Sequence, residues 1–302
     1  MQNFDVIVIG QGYAGLTAAK LAAERGLRTA NFEEMCFGGL VLNLNELDPV
    51  PEGDVHSGSE LSSILAMGNM EQGVVGVFEA AETLACDDAG LWTLAAGKEK
   101  YSARNVVIAS GAQLRKLGVP GEVEYRGRGV SECADCDGPM YVGMEAVVVG
   151  GGDSAFQEAV ALAAFASKVT IIMRGAEPRA RAEWRERVAS NPKIAILANS
   201  RVLSINGAPG KGVVSVRLDT DGAEHEFPCA GVFVFIGLTP NTSFVPSNVA
   251  RDDAGALITS ANCATAMPGL WAIGAVRSGY GGMLTDAAAD AGLVAAALAQ
   301  QH

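Results

Sequence analysis

Cys133 and Cys136 stand two residues apart in the stretch SECADCDGPMY, residues 131–141, and Asp137 directly follows the second sulfur. Thiols at that spacing exchange disulfides, supply half of a zinc site, or pack as unrelated core residues. Zinc needs four ligands. The remaining cysteines, Cys36, Cys86, Cys229 and Cys263, are single and scattered, and His56, His225 and His302 have no ligand spacing. This argues for a redox pair and against a metal. A redox pair needs a source of electrons, which other parts of the chain must bind.

Two segments have the residues for that. In the first, DVIVIGQGYAGLTAAKLAAERG, the apolar run 5–9 reads as a strand buried on both faces. Gly10, Gly12 and Gly15 follow in G-x-G-x-x-G spacing, then a helix from Leu16 to Arg25 that Gly26 stops. A second strand, RTANF, leads to Glu33, 23 residues after Gly10. Gly10 makes the tight turn, Gly12 lets the backbone approach a pyrophosphate, and Gly15 brings helix and strand close. The helix N-terminus offers free N–H groups to the phosphates, and a carboxylate at Glu33 accepts from a ribose.

The second segment, EAVVVGGGDSAFQEAVALAAFASKVTIIMRG, repeats the pattern. A strand over 146–149 precedes Gly150, Gly152 and Ala155, and a helix is expected from about Ser154 to Ala166, with Asp153 at its start. The next strand ends at Arg174, 24 residues after Gly150. A base at the ribose position suits a 2′-phosphate, so this unit favours NADPH over NADH. Arg179 and Arg181 follow closely enough to join a phosphate clamp. The economical reading of two such units is FAD at the acidic one and NADPH at the basic one, with hydride passing between them.

These elements imply an α/β chain with two Rossmann-like dinucleotide-binding domains. The first is expected to be discontinuous, residues 1–114 and 241–302, and to bind FAD. The second, residues 115–240, is inserted into it and carries the C-x-x-C. Segments 76–104 and 201–230 alternate apolar and polar residues, as antiparallel strands do. The 302 residues carry a net charge of −12, which opposes nucleic-acid binding. No signal peptide opens the sequence and no apolar run reaches the roughly 20 residues of a membrane helix. Six sparse cysteines suit a reducing compartment, and a soluble cytoplasmic protein is expected.

VIGQGYAGL, GGL at 38–40, IASGA at 108–112, GVSECADCDG at 129–138, VVGGGDSAFQEA at 148–159 and IGLTPN at 236–241 occur in this order along essentially the whole chain. So ordered, the chain resembles the low-molecular-weight thioredoxin reductase family of flavoprotein disulfide reductases. The resemblance implies that Cys136 faces the flavin, that Cys133 attacks a partner disulfide, and that Asp137 protonates the departing thiolate. It places Gly38 and Gly39 against the isoalloxazine ring and Asn45 near it. Gly111, Gly274, Asp153 and Ser154 join the cofactor-binding positions. It further implies a homodimer and a thioredoxin-like partner.

Three positions depart from the family. Ala275 follows Gly274 where the family has an aspartate that bonds the ribityl chain, and Asp286 is a candidate substitute. Gly281-Gly282 occupies the place of an Arg-Gln pair, and Gly175 stands where the phosphate clamp has a second arginine. Two other functions therefore fit the motifs: a dithiol oxidase that delivers electrons to oxygen, and a non-enzymatic flavin redox sensor. The cysteine pair precedes the second nucleotide-binding strand by about ten residues. Nicotinamide and disulfide must then reach the same flavin from one domain, and Cys133 must also meet a bulky partner. Rotation of the insert on crossings near 115 and 240 is expected.

Overall fold

A computed structural model describes residues 1–44, 47, 55–208, 210 and 212–300. In chain order, β1 (Gln2–Ile9), α1 (Tyr13–Ala23), β2 (Thr29–Phe32), α2 (Gly58–Glu71), β3 (Val75–Val77), β4 (Ala81–Cys86), β5 (Trp92–Ala96), β6 (Glu99–Ile108) and β7 (Ala112–Leu114) come first. Next follow β8 (Val130–Ser131), α3 (Ala134–Asp137), β9 (Glu145–Val149), α4 (Asp153–Leu162), β10 (Lys168–Ile172), α5 (Ala182–Ser190) and β11 (Ile194–Leu197). The chain continues through β12 (Ser200–Ala208), β13 (Gly212–Thr220), β14 (Ala223–Pro228) and β15 (Gly231–Val234). It ends with β16 (Leu238–Pro240), β17 (Leu270–Ala272) and α6 (Leu284–Ala299). Contacts divide it into two compact units, Met1–Gln113 with Thr239–His302, and Leu114–Leu238.

The first unit holds a seven-stranded sheet in the order β3-β2-β1-β6-β5-β4, with β17 also paired to β6. Val6, Ile7 and Val8 of β1 are fully buried because helices and strands cover both of its faces. Parallel register sets Ile9 beside both Phe32 and Ile108, so the chain leaves β1, β2 and β6 at one end. Strand order reverses at β1, which makes this end the natural crevice for a ligand. On α6 the buried residues Ala287, Asp290, Ala291, Val294, Ala295 and Leu298 recur at helical spacing. Asp290 is the one acid in that stripe.

The second unit has a parallel sheet in the order β11-β10-β9-β15-β8, and an antiparallel sheet β12-β13-β14. Its switch point is at β9, ahead of the second glycine turn. Segment 201–230 forms the expected antiparallel strands. Within 76–104, β4, β5 and β6 pair antiparallel, but Gly76 and Val77 belong to β3, which runs parallel to β2. The expected helix ending at Ala166 stops instead at Leu162. There the Ala164 and Phe165 N–H groups reach back only three residues, and the Phe165 ring packs on Gly138, where a Cβ would come within 2.7 Å of it. Helix α1 starts at Tyr13, three residues before the expected Leu16, because the glycine turn closes directly into it.

Candidate redox and nucleotide sites

In the first unit, Gly10 has φ +108°, and a Cβ there would meet the Ala109 carbonyl oxygen at 2.3 Å. A Cβ at Gly15 would lie 1.9 Å from the Gly10 carbonyl oxygen, so only glycine lets α1 seat on the turn. Gly12 is the N-cap of α1. No side chain caps that end and no acid lies in its first turn, and among the described residues a Cβ at Gly12 would meet nothing closer than the Gly38 carbonyl oxygen at 3.9 Å. An open helix N-terminus of this kind suits a pyrophosphate.

The Gly38 N–H donates to the Gln11 carbonyl at 2.7 Å, and a Cβ on Gly39 would sit 3.3 Å from Gly12 Cα. Gly274, with φ +67°, lies against Ala14 on the same helix turn. Sequence-distant glycines thus converge on one helix start. Glu33 follows β2, and its carboxylate accepts from the Gln11 and Glu34 N–H groups at 3.1 and 3.0 Å. A cleft of about 440 Å³ is lined by Gly10, Glu33, Glu79, Ser110, Gln113 and Asn241, among others. Asn241 ties this wall together: its Nδ2 donates to the Ser110 carbonyl at 2.9 Å, while Ser110 Oγ donates to the Asn241 carbonyl at 2.7 Å. Gly111 accepts from the Asn241 N–H at 3.0 Å. Asn45 lies outside the described residues.

In the second unit, a Cβ at Gly150 would meet the Phe235 carbonyl oxygen at 2.2 Å, and Gly152 faces open space as the uncapped N-cap of α4. Ala155 is fully buried under the turn. The Gly151 carbonyl accepts from the Arg179 N–H at 2.7 Å, which folds the arginine loop back over the glycine turn. Arg174 and Arg179 are exposed and form no ion pair among the described residues. Arg181 does: its guanidinium and backbone N–H both bind Asp153, so it is engaged at the start of α4, beside the exposed Ser154.

Cys133 and Cys136 are joined by a disulfide, which leaves neither sulfur available to a metal. Cys133 is half-buried and Cys136 exposed. Cys133 is the N-cap of α3, and its sulfur accepts from the Cys136 N–H at 3.1 Å. Ser131 Oγ accepts from the Cys133 N–H at 3.1 Å, and the Ala134 N–H donates to Glu158 Oε2 at 2.7 Å. Asp137 ends α3 and lines a cavity of about 260 Å³ with Lys116, Glu122, Arg126, Ser131 and Glu132.

The profile of the pyridine nucleotide-disulphide oxidoreductase family matches residues 4–292. The chain belongs to this family. A thioredoxin reductase from Listeria innocua is 38% identical over 292 residues, which is 96% of this chain and 91% of that protein. The crystal structure of Lactococcus lactis thioredoxin reductase in its FR conformation has a TM-score of 0.89 at 33% identity and covers 98% of both chains. That of the T. acidophilum enzyme has a TM-score of 0.88 at 29% identity, covering 100% and 99%. This member of the oxidoreductase family is therefore a thioredoxin reductase-like disulfide reductase with two Rossmann-like domains, and flavin and pyridine nucleotide use come with the family. The glycine cradles fit such groups: both helix starts are uncapped and open, and both turns exclude side chains.

Within this family member, the Gly274 turn beside Ala275 is bound by a buried carboxylate of α6. Asp286, the candidate substitute, accepts from the Met283 N–H at 3.1 Å and caps α6. Gly281 makes room for that cap, since a Cβ there would meet Asp286 Oδ2 at 2.3 Å. Asp290 is the acid bound to Gly274, whose N–H donates to it at 3.0 Å. Arg277 grips the same carboxylate through Nε and Nη2, each at 2.7 Å. Buried Cys263 points its sulfur at Asp290 at 3.4 Å, and burial first, then the Asp290 charge, pushes that thiol up to about 12. An acid inside an alanine-rich helical stripe was the available signal for Asp290. Glu158 was signalled likewise, one turn after Ala155 on α4.

Proposed function

We propose that this chain is an FAD-dependent, NADPH-using disulfide reductase that acts through Cys133 and Cys136 on a thioredoxin-like protein. The observation that carries this reading is the bonded cysteine pair in the unit with the basic glycine turn, in a chain whose other glycine turn ends in an acid. Gly10, Gly12, Gly15, Glu33, Gly38, Gly39, Gly111, Gly274 and Asn45 would hold FAD. Gly150, Gly152, Asp153, Ser154, Ala155, Arg174 and Arg179 would hold NADPH. Bound FAD supplies two-electron transfer between the nicotinamide and the disulfide.

After reduction, the Cys133 thiolate attacks the partner disulfide and forms a mixed disulfide, releasing one partner sulfur as a thiolate that Asp137 protonates. Cys136 then attacks Cys133, restores the internal disulfide, and frees the partner dithiol. The Cys136 N–H aimed at the Cys133 sulfur supports Cys133 as the sulfur that attacks the partner. Rotation of residues 115–240 on the two crossings belongs to the same proposal, as does a cytoplasmic homodimer. Exposed Ile64, Met67 and Met70 along α2 support a second copy, and four unbonded cysteines support a reducing compartment.

Anaerobic bleaching of the flavin by NADPH, NADH and dithiothreitol in turn tests the reading. NADPH is expected to bleach it faster than NADH. Bleaching by dithiothreitol alone would sink the reductase and favour the dithiol oxidase, which the missing second arginine at Gly175 keeps in view. A Cβ at Gly175 meets nothing closer than the Glu177 carbonyl oxygen at 3.5 Å, so a side chain fits there. Gly175→Arg is expected to lower KM for NADPH by roughly tenfold, with KM for NADH unchanged. Equal effects on both nucleotides would remove the arginine loop from 2′-phosphate recognition.

A further inference from the structure

The structure assigns Glu158 as a positioning residue for the redox pair, on the reading that Cys133 is the interchange thiol: its carboxylate anchors the disulfide turn and its charge opposes the Cys133 thiolate. Glu158 lies on α4, 24 residues from the turn it grips. Its Oε2 accepts the Ala134 N–H at 2.7 Å, and Ala134 is fully buried and directly follows Cys133. The bond ties α3 to the helix that opens the nucleotide turn. A carboxylate bonded to the N–H of the residue that follows a nucleophilic sulfur disfavours a second negative charge on that sulfur.

The charged groups around it reinforce this. Burial raises the Glu158 carboxyl to about 7, the Ala134 N–H pulls it down, and Asp135 on α3 raises it. Asp137, on the same turn, acts on Tyr141. Lys193 is spent at the other end of α4, where its Nζ donates to the Ala163 and Ala166 carbonyls at 2.8 and 3.1 Å. Burial thus shifts the Glu158 carboxyl toward the pH range where the thiol of a C-x-x-C pair ionises. Once the disulfide is reduced, a charge on Glu158 and a charge on Cys133 oppose one another across the Ala134 turn that Glu158 anchors.

The test is made on full-length protein carrying Cys136→Ser, with peptide mapping of iodoacetamide alkylation at Cys133 from pH 5 to 10. With Glu158 present, the rate profile is expected to be broad, in two steps. Glu158→Gln keeps an oxygen for the Ala134 N–H and removes the charge. It should give a single-group curve with its midpoint about one pH unit lower. Because a more acidic thiolate is a weaker nucleophile, the rate below the midpoint should rise only about threefold. Glu158→Ala also loses the anchor and should show the single-group curve with altered reactivity on its plateau. Superimposable profiles for Glu158 and Glu158→Gln would overturn the assignment. The underlying reading is judged separately in the same Cys136→Ser protein: failure to trap a mixed disulfide with a thioredoxin-like substrate sinks Cys133 as the interchange thiol, whatever the pH profile.

Discussion

Cys136→Ser is expected to abolish disulfide turnover, by roughly 10³-fold or more, while pyridine nucleotide still bleaches the flavin. A serine oxygen neither forms the internal S–S bond nor leaves as a stabilised thiolate, so the pair can no longer cycle. The two single variants should fail at different points. In Cys136→Ser the remaining Cys133 can attack a partner disulfide but has no neighbour to resolve it, and a one-to-one mixed disulfide should accumulate. In Cys133→Ser the sulfur at the helix N-cap is gone, and that adduct should be scarce. The contrast tests the proposal that Cys133 is the interchange thiol. Steady-state turnover with a protein disulfide, together with intact-mass measurement, reads both. Full activity in both variants would remove the disulfide from the electron path.

Asp290→Asn is expected to be the most damaging change in the first unit outside the glycine turns. Asp290 is 3% exposed, and it gathers the Gly274 N–H and two Arg277 bonds on one carboxylate. An amide presents one oxygen where the carboxylate had two, and leaves the mostly buried Arg277 without its counter-charge. Breaking one side of such a buried pair costs about 3–5 kcal/mol. For a unit of this size the thermal midpoint should fall by about 10 °C. Retained flavin should fall with it, because Gly274 sits against the start of α1. Asp286→Asn is the control. It weakens a helix cap in a half-buried position and should cost about 1 kcal/mol. Equal midpoints for Asp290→Asn and the unaltered protein, read by calorimetry, would show that the node is not a stabilising one.

Asp286 and Asp290 hold separate places beside the departures at Gly281 and Ala275. Read as a string, Ala275 marks a lost carboxylate and Asp286 the nearest replacement. In the folded chain Asp286 serves its own helix end, and Gly281 is small because that cap occupies the space. The carboxylate that meets the turn comes from one helical turn further on. Helix α6 projects residues 286 and 290 from successive turns, and only the packing of the turn against the helix selects which of them meets Gly274.

The sequence by itself determined the two glycine turns, their flanking strands and helices, the acid after one and the base after the other, and the spacing of the cysteine pair. Each is a local property. The turn geometry of G-x-G-x-x-G is enforced by backbone contacts within one strand–helix unit, as the 1.9 Å approach of a Cβ at Gly15 to the Gly10 carbonyl demonstrates. The antiparallel strands of 201–230 were legible for the same reason, since alternation is a period-two local signal. Tertiary structure alone decided which distant residues serve those turns. The Gly38 N–H on the Gln11 carbonyl, Gly274 against Ala14, Asp290 on Gly274, and Glu158 on the Ala134 N–H each join separate elements. No periodicity encodes such bonds, because the backbone donors involved carry no residue identity. Their partners became visible only when sheet and helix packing buried the two groups together and left them to satisfy one another.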